Sequence, residues 1–225
     1  MPASRGNRRS SASLLPLISL HLFISFRLFT AAVGTIGLRF GRSPLESYVK
    51  SVLLIIDVQI GLVRLMPAEV QDCVLSNIGL LLGRARSSGM PVVFIQHDGG
   101  KGHPIEAETP AWEIHPAILP RSGEAVIRKK ASDSFFETGL GEELRRRDIT
   151  HLVIAGAMTE YCVDTTCRRA VTLGYDVTLV ADAHLTRDAG GLTASQIIAH
   201  HNLLLDGFGA GGHAIKVSAT DEVLV

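Results

Sequence analysis

From Ser51 onward, apolar runs alternate with stretches of helical period. Ser51-Val-Leu-Leu-Ile-Ile-Asp57 stays apolar until it ends on an acid, the pattern of a strand buried on both faces. Between Pro67 and Ser88 the apolar positions Val74, Ile78, Leu81, Leu82 and Ala85 recur on one helical face, and Gly89 closes the helix. Pro91–Gln96 reads as a second strand. A polar stretch over 97–123 follows, with Pro104, Pro110, Pro116, Pro120 and the only tryptophan, Trp112. Such a loop in a compact domain serves as a lid or binding loop.

The alternation then resumes. Strands are expected at Ala125–Lys129, His151–Gly156, Asp176–Ala181 and Ala214–Val217. Helices are expected at Leu140–Arg147, at Glu160–Leu173 ending on Gly174, and at Thr193–Asp206, where Thr193 and Gln196 have the spacing of a capping box. Strands alternating with helices predict an α/β fold, a three-layer α/β/α sandwich around a mostly parallel central sheet.

The segment before Ser51 has a different character. Residues 1–13 are basic and polar, and the apolar stretch from Leu14 to Leu38 is broken by Pro16, His21 and Arg27. This order is that of a leader, but the interruptions suit neither a signal core nor a span of about 20 apolar residues. Residues 1–50 are therefore expected to be an N-terminal extension (disordered, leader-like or a misassigned start), and 51–225 the working domain. Charge divides at the same place. The whole chain balances 22 basic against 22 acidic residues, but 1–50 holds seven basic groups and one acid. The rest carries 15 basic and 21 acidic groups, a net charge of −6. A domain of that charge is not a basic nucleic-acid binder.

In open parallel sheets, ligands bind beyond the carboxyl ends of the strands. Asp57, His97 with Asp98, Lys129 and the Gly156–Cys162 segment all fall there. With Thr159 as N-cap, Cys162 takes about the third position of the following helix, where free N–H groups and the helix dipole favour a thiolate. Cys73 and Cys167 lie inside amphipathic helices and read as packing residues. A thiol nucleophile needs a base and a cation nearby. Asp57 has no packing role at the end of a core strand, and Lys129 and Lys130 compete for the cationic role, since alternation puts only one on the active face. No histidine neighbours Cys162 in sequence, so a papain-like pairing would rest on the distant His97, His115 or His184.

These residues carry a resemblance. Leu53-Leu-Ile-Ile-Asp57-Val-Gln59, Lys129 six residues before Phe135, Gly156-Ala-Met-Thr-Glu-Tyr-Cys162-Val-Asp-Thr-Thr-Cys-Arg-Arg-Ala170 and Gly174-Tyr-Asp-Val-Thr-Leu-Val-Ala-Asp-Ala183 resemble the isochorismatase-like cysteine hydrolases. That group includes nicotinamidases, N-carbamoylsarcosine amidases and streptothricin-type lactam hydrolases, and the Thr159–Thr166 wording looks closest to the last. The resemblance runs from residue 51 to about 220. It implies Asp57 as base and acid, Lys129 rather than Lys130 as cation, and Cys162 as nucleophile. It also implies a cis peptide at Ala157–Met158, with the Met158 and Cys162 N–H groups aimed at a substrate oxyanion. Family members commonly form homodimers or homotetramers, so a homo-oligomer is expected.

The implied function is hydrolysis of a C–N bond in a small amide or lactam through an acyl-thioester. Two alternatives stand beside it: vinyl-ether hydrolysis of the isochorismatase type, which needs no thiol, and a catalytically idle scaffold. Gln59, His97, Trp112 and Tyr161 are expected to bind substrate; Asp98, His103 and His115 are further candidates to line the site. Nicotinamidases hold a metal through an Asp-x-His pair and a further His. No such pair occurs in 97–115, so no metal and no cofactor are expected. Gly207-Phe-Gly-Ala-Gly-Gly212 follows a helix rather than a strand, which is the wrong context for a dinucleotide fingerprint. Three cysteines without evident pairing fit a reducing, cytoplasmic compartment, and neither nucleic acid nor, for the core domain, membrane is an expected partner.

Overall fold

The computed structural model describes residues 49–223. The expected extension over 1–50 lies, but for Val49 and Lys50, outside the described residues. Seven strands form one sheet: β1 (Ser51–Ile56), β2 (Val92–His97), β3 (Ala125–Lys129), β4 (His151–Ala157), β5 (Asp176–Leu185), β6 (Gly209–Ala210) and β7 (His213–Ser218). Their order is β3-β2-β1-β4-β5-β7-β6, and every pairing except β6–β7 is parallel.

Helices cover both faces, and β1 shows why. Successive residues of a strand point to opposite sides. Leu53 and Ile55 pack with Val74, Ile78, Leu81, Leu82 and Ala85 of α2 (Ala68–Ser88), which follows the single-turn α1 (Ile60–Val63). Val52, Leu54 and Ile56 pack the other way, with Leu140 and Leu144 of α3 (Leu140–Arg146) and Cys167, Ala170 and Val171 of α4 (Asp164–Thr172). Each large aliphatic side chain so buried stabilises the fold by about 1.5–3 kcal/mol. Helix α5 (Ala194–Leu205) opens on the expected capping box between Thr193 and Gln196.

Three elements differ from expectation. β5 runs four residues past Ala181, because a register shift between Ile154 and Gly156 lets Gly156 and Ala157 pair with His184 and Leu185. The glycine-rich segment after α5 is a hairpin: β6 turns through Gly211 and Gly212, with φ of 61° and 91°, into β7. Two successive positive φ values suit a tight hairpin turn, and glycine takes them without strain. The residues after β4 form a π turn at Thr159–Val163 before α4 begins, so Thr159 is not the cap of an α-helix.

From β1 the chain moves outward through β2 and β3, then crosses back to β4, β5 and β7. The reversal falls between β1 and β4, and a crevice opens beyond their carboxyl ends.

Candidate active site

Asp57 is the first residue past β1, and its φ of 50° turns the chain out of the sheet. Aspartate tolerates this left-handed region better than most residues. Its N–H donates to the Ile95 carbonyl at 3.0 Å, and its own carbonyl accepts from Gln59 N–H at 2.9 Å. Lys129 ends β3, in register with His97 of β2. Its Nζ lies 2.8 Å from Asp57 Oδ2 and donates to the Ser132 carbonyl at 3.1 Å. Lys130 faces solvent.

Cys162 comes from the π turn. Its sulfur, an Asp57 carboxylate oxygen and a His97 ring nitrogen lie within 4.8 Å of one another. Burial, reinforced by the Asp57 charge, pushes the Cys162 thiol up to about 12, and Lys129 offsets only part of that. The resting group is therefore a thiol, not the thiolate expected from a helix terminus. For Lys129, burial alone would lower the pKa, but the shift is upward, led by the charge of Asp57 beside it, and the ammonium stays protonated. His97 is lowered, chiefly by burial.

A buried relay holds the π turn. The Asn202 amide donates to the Ala181 carbonyl at 3.0 Å, so Asn202 Oδ1 faces His184 Nε2 at 2.9 Å and makes that nitrogen the protonated one. His184 Nδ1 is left to accept from the Thr159 hydroxyl at 2.9 Å. Burial pushes His184 down to about 4. His184 thus supports the turn and does not pair with Cys162. The Ala157–Met158 peptide is cis, and the Met158 N–H has no acceptor among the described residues.

These groups open on a cavity of about 380 Å³. Leu62, Leu65, Pro104, Ile105, Met158 and Tyr161 form its apolar wall, and His97, His103, Ser132 and Arg187 add polar edges around Asp57 and Cys162. The Arg187 guanidinium is exposed and makes no ion pair among the described residues. Two expected substrate contacts are elsewhere. Gln59 is fully buried; its amide donates to the His97 and Trp112 carbonyls at 3.0 and 2.7 Å and accepts from His97 N–H at 2.9 Å. It ties the 97–123 loop to the end of β2. Trp112 donates to Asp98 at 3.0 Å and lies under the Arg128 guanidinium, away from the cavity. His115 caps a short 3-10 turn. Sequence reasoning passed over Ser132 and Arg187, loop residues without periodic signal, and Leu62 and Leu65, in and just after α1.

A family model described as the Isochorismatase domain matches residues 51–198. Among curated proteins, the chain is 41% identical over 137 residues to a streptothricin hydrolase of Streptomyces noursei, covering 60% of this chain and 50% of that protein. It is 34% identical over 153 residues to a secreted isochorismatase effector of Verticillium dahliae, covering 66% and 79%. The chain spans about half the length of the streptothricin hydrolases that it matches. Among solved structures, an isochorismatase from Pseudomonas putida is similar at a TM-score of 0.69 and 31% identity, covering 77% of this chain and 90% of that one.

Proposed function

This chain belongs to the isochorismatase family, and from that premise we propose that it hydrolyses a C–N bond in a small amide or lactam, with Cys162 as nucleophile. The observation that carries this reading is the convergence of a fully buried carboxylate–ammonium pair, Asp57 and Lys129, on the sulfur of Cys162. A streptothricin hydrolase and a ureidoacrylate amidohydrolase of Variovorax paradoxus among the relatives support a hydrolytic, amide-directed reading.

In this mechanism the carbonyl enters the cavity above Cys162. Asp57 takes the S–H proton as sulfur attacks carbon, which suits a thiol held neutral until substrate arrives. The carbonyl oxygen gains charge as the C–S bond forms and accepts from the Met158 and Cys162 N–H groups. Asp57 then protonates the nitrogen, the C–N bond breaks and the amine leaves. Water, losing its proton to Asp57, cleaves the thioester and returns the thiol. Lys129 pairs with the Asp57 carboxylate and supplies positive potential in a domain whose net charge is −6.

The test is a panel of nicotinamide, carbamoyl amines and streptothricin-type lactams, scored by released ammonia or amine, with Cys162→Ala in parallel. Turnover of one class by the natural chain and none by the folded variant is expected. Undiminished turnover in Cys162→Ala would sink the proposal.

A further inference from the structure

Buried acceptors in folded proteins normally have a hydrogen-bond partner. Three atoms on two residues at this site have none: both Asp57 carboxylate oxygens and His97 Nδ1 are buried without an aligned hydrogen bond. The Lys129 contact to Asp57 Oδ2 is an ion pair, which leaves Oδ1 free. The same two residues stand with Cys162 in a set in which one carboxylate oxygen, one imidazole nitrogen and the sulfur lie within 4.8 Å of one another.

We propose that Asp57, His97 and Cys162 form a binding site for a soft divalent cation, zinc foremost, whose occupation switches the enzyme off. A thiolate, an imidazole and one carboxylate oxygen are zinc's preferred ligand types, and three protein ligands leave the fourth position open to the cavity. Ligand atoms about 2.0–2.3 Å from zinc in a tetrahedron stand roughly 3.3–3.8 Å apart, so side-chain rotations of about 1 Å close the site. Hard cations such as magnesium want an oxygen-rich shell, which one carboxylate does not supply. Lys129 stands beside both Asp57 and Cys162 and its charge opposes the metal, and only two of the three ligands are anionic. These features put the affinity at roughly micromolar rather than in the tighter range of structural zinc sites.

On binding, the Cys162 S–H bond breaks, a Zn–S bond forms and the proton leaves to solvent, with no change of oxidation state. Binding does not depend on the amidase reading. Inhibition does rest on it, because the ligated sulfur and carboxylate are its nucleophile and base.

Cobalt(II) titrated into the full chain tests the site directly, without substrate. A near-ultraviolet thiolate-to-cobalt charge-transfer band is expected, retained in Cys73→Ser, lost in Cys162→Ser and requiring about tenfold more metal in His97→Ala. Zinc should displace cobalt and stop amide turnover at micromolar concentration, with recovery on chelation, while magnesium does neither. Absence of a band at millimolar cobalt, or a band surviving in Cys162→Ser, overturns the proposal. A band in an enzyme that turns over no amide sustains the site and overturns the amidase reading.

Discussion

Lys129 Nζ and Asp57 Oδ2 meet at 2.8 Å with neither side chain exposed to solvent. The two residues end strands separated by β2, so the pair exists only once the sheet is assembled. Removing one partner of a buried pair costs about 3–5 kcal/mol, because the other charge is left without compensation. Lys129→Met should therefore lower unfolding stability by about that amount, read from urea midpoints, and abolish turnover. Asp57→Asn combined with Lys129→Met should be clearly more stable than the sum of the single losses. Additive losses would mean that the pair is not coupled.

The pH dependence of stability follows from the buried thiols. Burial raises Cys162 from 9.0 to about 12 and Cys167 further still. A thiol raised in the folded state binds its proton more tightly there than in the unfolded chain. Its contribution is complete below pH 9 and is lost as pH rises toward 12. Each thiol should contribute a slope of about 1.4 kcal/mol per pH unit in that window. Urea denaturation between pH 8 and 11 should show the decline, and Cys162→Ala should roughly halve its slope. An unchanged slope in that variant would mean that Cys162 is already ionised in the folded state.

Gln59 satisfies three backbone groups at once, the carbonyls of His97 and Trp112 and the N–H of His97. Gln59→Ala removes its bonds to the His97 carbonyl and N–H at about 1–3 kcal/mol, leaves the Trp112 carbonyl only the Gln96 amide at 3.1 Å, and loosens the loop that carries His103, Pro104 and Ile105 into the cavity wall. KM for the best amide of the panel should rise several-fold with a smaller change in kcat, and proteolysis within 98–121 should quicken. A fall in kcat at constant KM would instead place Gln59 beside the chemistry.

The strands and α2 were legible because their periods are clean: β1 is buried on both faces, and the five predicted α2 positions are its buried stripe. The Asp57, Lys129 and Cys162 positions were legible because strand ends are few and acids or amines rarely end a core strand without reason. The remainder depends on tertiary contacts. Asp182 and His184 look like loop residues, yet a bulge carries β5 through them and His184 becomes the support of the π turn. Gln59 looks like a ligand contact because it follows Asp57, but its amide is consumed by the backbone. Position at a helix start suggested a thiolate at Cys162, whereas burial, which sequence position does not record, keeps it a thiol.

Glycines 156 and 83 should respond in opposite directions to the same substitution. At Gly156, φ is 133° and a Cβ would stand 2.1 Å from the Ile56 carbonyl oxygen, where β4 crowds β1 shortly before the π turn that carries Cys162. The obstacle is backbone in the centre of the sheet, so no side chain can move aside. Gly156→Ala should destabilise by about 3 kcal/mol or more and displace the π turn, with turnover lost even in the fraction that folds. Gly83 lies on the exposed face of α2 with nothing within 4 Å of its would-be Cβ. There, Gly83→Ala relieves only the cost of a glycine inside a helix, so it should stabilise by about 0.5–1 kcal/mol without touching activity. Thermal or urea unfolding of the two variants side by side checks both signs. A Gly156→Ala protein of natural stability would show that the approach of β4 to β1 is looser than 2.1 Å implies.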